Sequence, residues 1–503
     1  MFYAGLHNKI LVALQFQYFS VYDTIYIMKL RTKAFAAVFC CAVWLGFAAE
    51  NSSYSLPSLL SGYLSNDAEL KKLALDIQKA SLSSKITEIN NGFSITLATG
   101  TMTFSSENNK LSYSVSPSVK ATIPQANNLS FSASSDISLS ALEKTMHNTA
   151  LNLSADIVSP EKTKLKVSLL QSNHELLNAR RKFQQRTLAV EKAFYSELKL
   201  LYENAQSIFS AKNTLYDDTI KFEQTKAQGF LSSSSTYKLI EMKVKSDERS
   251  VASATRVFIH NKAVFYKKCG VANLEDTTTP LNCIPTVDVA VSPIKIKTFP
   301  VESYKTIADA VWAHEINSQS RSAPEFALSA NGGYTFKNTR TDSDSVDAGF
   351  SADLSGLKLS TGVSVPVNSK KAKPAVTLSA TASPNTRRVS KLEKKQDAIA
   401  DEQERIAIAS AYEAYEESCV ECDENLDDLL WQRSTNKENY DMYDALEKDL
   451  LKWYQEGYIK RSEYLSAKNN RDLYKVKCII SDIELIIYND TVKALFYHDD
   501  ELN

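Results

Sequence analysis

Cys419 and Cys422 stand in a Cys-x-x-Cys spacing, one that can exchange disulfides or hold a soft metal between two sulfurs. No histidine lies nearby to complete a ligand set, and packing as two small apolar side chains accounts for the pair more simply. Cys269 and Cys283 flank a turn-rich segment and could pair in an oxidising compartment. With Cys478 the set is odd and sparse, which does not make a disulfide scaffold. Of the histidines, His7 precedes the expected mature chain and His498 stands at its end, while His147, His174, His260 and His314 occur singly and read as surface or interface residues. The chain has no Gly-x-Ser-x-Gly elbow, P-loop, His-Glu-x-x-His or dinucleotide fingerprint. The expectation is a protein with no catalytic residues, no cofactor and no bound metal: not an enzyme.

Charge excludes another class. The 503 residues carry 58 Lys and Arg against 59 Asp and Glu, so no basic surface is available to hold a nucleic acid. One segment has the build of a secretion signal. Lys29, Arg31 and Lys33 precede an apolar run from Ala34 to Phe47, and Gly46-Phe47-Ala48 supplies a small-x-small cleavage site. That run is shorter than the ~20 residues needed to span a bilayer as a helix. Residues 28–48 are therefore expected to be a signal peptide, with translation starting at Met28 and 1–27 a stretch ahead of the true start. The alternative is a genuine extension anchored by the apolar run Ile10 to Phe19. Cys40 and Cys41 fit a lipoprotein site poorly.

Glycine and proline divide the rest. No proline occurs in 161–279 or 385–503; the only glycine between Glu161 and Cys269 is Gly229, and the only one between Asn385 and Asn503 is Gly457. The turns read Gly229-Phe230-Leu231-Ser232-Ser233-Ser234 and Gly457-Tyr458-Ile459-Lys460-Arg461-Ser462, both Gly-aromatic-aliphatic-x-x-Ser. Ahead of each long stretch lies a Ser/Thr-rich region with strand alternation, and ahead of that a shorter helix. Residues 49–268 and 303–503 thus read as two repeats of helix, strands, long helix, glycine turn and helix, joined by a proline-bearing linker at 269–302.

The first long helix, Thr163 to Gln228, would run roughly 100 Å at 1.5 Å per residue. Its apolar residues sit seven apart at Leu169, Leu176, Phe183 and Val190; after a slip of four, Phe194, Leu201, Ile208, Leu215 and Phe222 continue the row. That is a coiled-coil seam with one stutter. The second repeat places Ile408, Tyr415, Cys422 and Leu429 in one row and Tyr412, Cys419 and Leu426 in the other, so both cysteines fall in the seam. The returning helices, Thr236 to Lys268 and Glu463 to Phe496, are half as long. Shorter helices are expected near 57–80 and 302–318. A returning helix and a shorter one laid end to end nearly match one long helix.

Strand candidates lie near 93–104, 110–122, 128–139, 148–158, 325–337, 346–354, 357–366 and 374–382. Leu151, Leu153, Ala155 and Ile157 alternate with polar residues, as do Leu129, Phe131 and Ala133, then Phe326, Leu328 and Ala330, then Val376, Leu378 and Ala380. Such alternation suits a barrel wall with lipid outside and water inside, and equally a half-buried soluble sheet. The secretion signal and adjoining long helices favour the barrel. Phe93, Phe104, Tyr113, Tyr334, Phe336 and Phe350 could form its interfacial girdle.

This repeat, with Tyr454-Gln455-Glu456-Gly457-Tyr458-Ile459 followed by Ser462-Glu463-Tyr464-Leu465-Ser466-Ala467, resembles the TolC-like outer membrane efflux protein family. The resemblance covers residues 50 to 497. It implies an α+β membrane protein, a homotrimer sharing a transmembrane β-barrel and a long coiled-coil α-helical periplasmic barrel. It also implies a periplasmic adaptor and an inner-membrane transporter as partners, with outer-membrane lipid around the barrel. The helix-turn tips would be Gly229, Phe230, Gly457 and Tyr458. A periplasmic constriction would be lined by Glu463 and Ser466, where the family carries two acids; Ser235 is the first-repeat equivalent. The family supplies four strands per subunit, whereas eight candidates occur here. Other readings left open are a structural or adhesive envelope protein and a monomeric eight-stranded barrel.

Overall fold

A computed structural model describes residues 55–100, 102–107, 110–140, 144–271, 284–285, 287, 291–337, 343–367 and 373–499. The expected signal peptide at 28–48, residues 1–27 and Cys283 lie outside them. Within the unit Leu56–Asn503 the order is helix α1 (Leu56–Asn66) and α2 (Ala68–Asn90), then six strands. These are β1 (Ser94–Ala98), β2 (Met102–Glu107), β3 (Lys110–Val115), β4 (Ser118–Ile123), β5 (Leu129–Ser140) and β6 (Lys144–Val158). Helices α3 (Pro160–Ala227) and α4 (Ser235–Lys268) close the first half. The second half has α5 (Lys305–Arg321), β7 (Phe326–Phe336), β8 (Asp344–Leu354), β9 (Leu357–Val367), β10 (Ala375–Ala382), α6 (Pro384–Gln455) and α7 (Arg461–Lys493).

Local chemistry sets these bounds. Both long helices start at a proline, which supplies the helical φ and forgoes an N–H that has no partner in the first turn. Ser159 caps α3 by accepting from the Glu161 amide at 3.2 Å. The helix expected near 57–80 is instead two, because Asp67 ends the first and caps the second, accepting from Leu70 N at 2.7 Å. Gly229 and Gly457 sit at φ 78° and 81°, the left-handed region, and stop α3 and α6.

The end-to-end stacking expected of the short helices is present. On α3, Ser84 meets Asn173 and Asp67 meets Arg186, whereas α4 covers the tip-ward half from Lys268–Glu197 to Phe222–Tyr237. On α6, α5 lies against Asp401 to Ser418 and α7 against Cys422 to Glu447. Helix α7 packs on both α3 and α6, so the helices form a layer in the order α4, α3, α7, α6. The core gathers where the short helices meet end to end. Phe194, Leu198, Leu201, Tyr202 and Ile208 are buried there with Leu59, Phe258, Phe265, Val476 and Ile483. A second cluster joins Ile307, Cys419, Cys422, Leu426, Leu485 and Phe496. Tyr412 does not belong to it: the side chain is 41% exposed.

All ten strands form one antiparallel sheet. Two candidate strands are each broken in two. The first divides at Gly100, at φ 70°, where an added Cβ would run into the Ser116 carbonyl. The second divides at Pro117, which has no N–H for the ladder. The fragments stay in line, β4 and β3 pairing successive stretches of β5, so the sheet is in effect an eight-stranded meander. The four strands per subunit of the TolC-like pattern are thus exceeded. Asn90, Pro160, Arg321 and Pro384 all enter or leave the sheet at the same end.

Candidate functional site

Register gives the sheet two faces. One row of partners runs Ile95, Ala121, Phe131, Leu153, Gly332, Ala348, Val363 and Val376 across the whole width. The row beside it, on the opposite face, runs Ser94, Thr122, Ser130, Ser154, Asn331, Gly349, Gly362 and Thr377. A slip of one residue in any pair would mix the faces. Hydroxyls are hydrogen-bonded across strands on the polar face: Ser130 with Ser154 at 2.7 Å, Ser329 with Ser351 at 2.7 Å, Ser360 with Ser379 at 2.6 Å. Its glycines make room for longer neighbours. An added Cβ at Gly333 would strike the Asn152 side chain, one at Gly349 the Asn331 side chain, and one at Gly362 the Thr377 hydroxyl.

Among the described residues no helix covers either face. The apolar row therefore stands open, with Leu97 74% and Leu378 81% exposed. Contiguous apolar surfaces are rare on monomers in water and mark contact with protein, ligand or membrane. Strands of 11 residues extend about 36 Å, long enough to cross an apolar band of ~25 Å at a tilt of ~45°. The edge strands β1 and β10 are not paired with each other. Of the expected girdle, the Phe104 and Tyr113 rings meet at 6.2 Å and those of Tyr334 and Phe336 at 4.3 Å, both pairs toward the end of the sheet away from the helices. Phe350 lies mid-strand opposite Ala330 and Thr361.

At the opposite pole, Phe230 and Tyr458 project from the two glycine turns and are exposed. A Cβ on Gly229 or Gly457 would meet nothing within 4 Å, so backbone conformation alone requires glycine there. Glu463 lies in the first turn of α7, half-buried, and Ser466 one turn on, its hydroxyl 3.5 Å from Asp217. Lys460 pairs with Glu223 at 3.6 Å, and Ser462 donates to the same carboxylate at 3.2 Å. Glu447 is buried and held by Tyr464 at 3.0 Å and Arg471 at 3.3 Å. These bonds fasten the start of α7 to both long helices. Ser235 begins α4, and no acid stands in its place.

Cys419 and Cys422 are buried in the seam between α6 and α7, and burial raises the Cys422 thiol above its ordinary pKa. Burial likewise pushes Cys269 up to about 12. Thiols held protonated in apolar surroundings are poor nucleophiles and poor ligands, in keeping with packing.

One cluster escaped sequence reasoning. His314, Asp401 and Glu404 each offer a ligand atom within 4.8 Å of the others. Arg321 fills their midst, donating to both Glu404 oxygens at 3.0 and 2.6 Å and to Asp401 at 3.2 Å. The guanidinium already supplies the positive charge that a cation would bring, so the set is an ion-paired clasp between α5 and α6. It holds the Glu404 carboxyl at about 2. The pair His314 and Arg321 lies 80 or more residues from the pair Asp401 and Glu404, which is why no local motif announced the set.

Two family models match in succession, the TP096X N-terminal domain over residues 59–287 and the TP096X C-terminal domain over 289–499. The chain belongs to the TP096X family. The TP096X boundary, between residues 287 and 289, lies between α4 and α5 in the chain. No curated protein matches. Among solved structures, the chain is similar to a membrane protein from Pseudomonas aeruginosa (15% identity, 88% of this chain and 93% of that one, TM-score 0.42). It is also similar to the outer membrane protein VceC of Vibrio cholerae (12%, 88% and 95%, TM-score 0.41). A third is the MtrE outer membrane channel of Neisseria gonorrhoeae (15%, 87% and 88%, TM-score 0.40).

Proposed function

We propose that this TP096X protein is an outer-membrane export duct, the passive channel-tunnel component of a tripartite efflux or type I secretion system. The observation that carries the reading is the two-faced sheet: one face apolar and one polar across its whole width, neither covered by a helix among the described residues, with every long helix leaving from one end. Only a closed barrel satisfies strand edges in lipid. Because β1 and β10 are not paired with each other among the described residues, closure requires further copies, which favours a homotrimer over a monomeric barrel. The polar face would line the pore. The helices, about 100 Å long in α3, would continue the duct into the periplasm. A periplasmic adaptor and an inner-membrane transporter would meet it at the tips around Gly229, Phe230, Gly457 and Tyr458, and supply the energy. Copies of Glu463 near the common axis would repel one another, favour a bound cation and, with Ser466, form a constriction.

Purified oligomer in a planar bilayer tests the reading. The expected result is stepwise ion conductance that divalent cations reduce. An inserted oligomer impermeable in both the native form and Glu463→Ala would reject it.

A further inference from the structure

The helix layer ends laterally in α4 on one side and α6 on the other, and these two edges carry opposite charge. Helix α4 has eight Lys and Arg against three Asp and Glu; residues 413–455 of α6 have thirteen acids against four cations. The cations are also aligned. Lys238, Arg249, Arg256 and Lys267 are spaced 11, 7 and 11 residues apart, which at 3.6 residues per turn keeps them within roughly 20° of one line. All four are exposed, and among the described residues none has an ion pair within the chain. On α6, Glu424, Trp431, Glu438 and Asp449 follow the spacing 7, 7 and 11 and are likewise exposed, with Trp431 69% open and the three acids without a cation. The rows share a height. Contacts through α3 and α7, such as Ser462 with Glu223 and Tyr464 with Glu447, set the two turn tips level, and each row occupies the 35 residues or so nearest its tip.

We infer that the α4 row of one copy docks against the α6 row of the next, an electrostatic seam between neighbouring subunits, resting on the multi-copy duct proposed above. A basic edge and an acidic edge on opposite sides of one chain cannot satisfy each other internally; a head-to-tail ring satisfies every edge with a single repeated contact. The same sides carry the open strands, α2 leading into β1 and β10 leading into α6, so the seam continues the sheet contact down the helices. Antiparallel pairing at this spacing brings Lys238 toward Asp449, Arg249 toward Glu438, Arg256 over the Trp431 ring and Lys267 toward Glu424.

The test uses the full chain in detergent, with oligomer mass followed against salt. The variant K238E/R249E/R256E/K267E should dissociate at least about tenfold more readily than the native protein, and adding E424K/E438K/D449K should restore association. Far-ultraviolet circular dichroism should be unchanged, since the residues are exposed. Native oligomers with a four-fold reversal as stable as the parent, or reversal without rescue, would overturn the seam and leave the duct standing. A native chain that never oligomerises would overturn both.

Discussion

Val363 and Ser364 are neighbours on β9 whose side chains take opposite faces, and a lysine at each distinguishes a lipid-facing wall from a sheet in water. Val363 is flanked in register by Ala348 and Val376, in the row next to mid-height of the 11-residue strands. If that face meets lipid, Val363→Lys places an ammonium near the midplane and should cost about 2–4 kcal/mol. Ser364 lies between Asp347 and Ala375 on the polar face, so Ser364→Lys should cost no more than about 1 kcal/mol, with Asp347 near enough to attract it. Denaturant unfolding of the protein folded into vesicles, followed by circular dichroism, measures both. In a water-exposed sheet the two would be alike. A Val363→Lys variant within about 0.5 kcal/mol of Ser364→Lys would refute the assignment of faces.

Gly457→Ala should lower stability by about 1–2 kcal/mol through backbone strain alone, seen as a lower thermal midpoint, because φ is 81° and no atom opposes the new methyl. The clasp between α5 and α6 makes stability acid-sensitive. Glu404 titrates near 2 when folded and near its ordinary value when unfolded, so its contribution is full above about 4.5 and is lost as pH falls toward 2. Arg321→Met should flatten that acid limb in unfolding measured from pH 6 to 2; an unchanged slope would remove the clasp from the account. Glu463→Ala should weaken divalent block in bilayer recordings, and unaltered block would exclude Glu463 from the constriction.

Much of the architecture was legible because it is periodic. The exclusion of glycine and proline from two long stretches marks α3 and α6, and the positive φ that halts each helix explains the glycines read as turns. Alternation marked the wall, but only pairing register could show that Ile95 and Val376, 281 positions apart in sequence, share one apolar row. The breaks at Gly100 and Pro117 went unread because the fragments keep the same alternation on either side. Tyr412 was misplaced since a heptad row on a helix contacted from one side drifts out of the buried face. The Arg321 clasp and the opposed rows on α4 and α6 depend on elements meeting across the fold, or across copies, and leave no local mark.

The mass of the purified full chain, with and without detergent, bears most directly on whether an apolar wall is closed by several copies in lipid. Three chains per particle, soluble only in detergent, is the result expected. A stable single chain dissolved in plain buffer would contradict it.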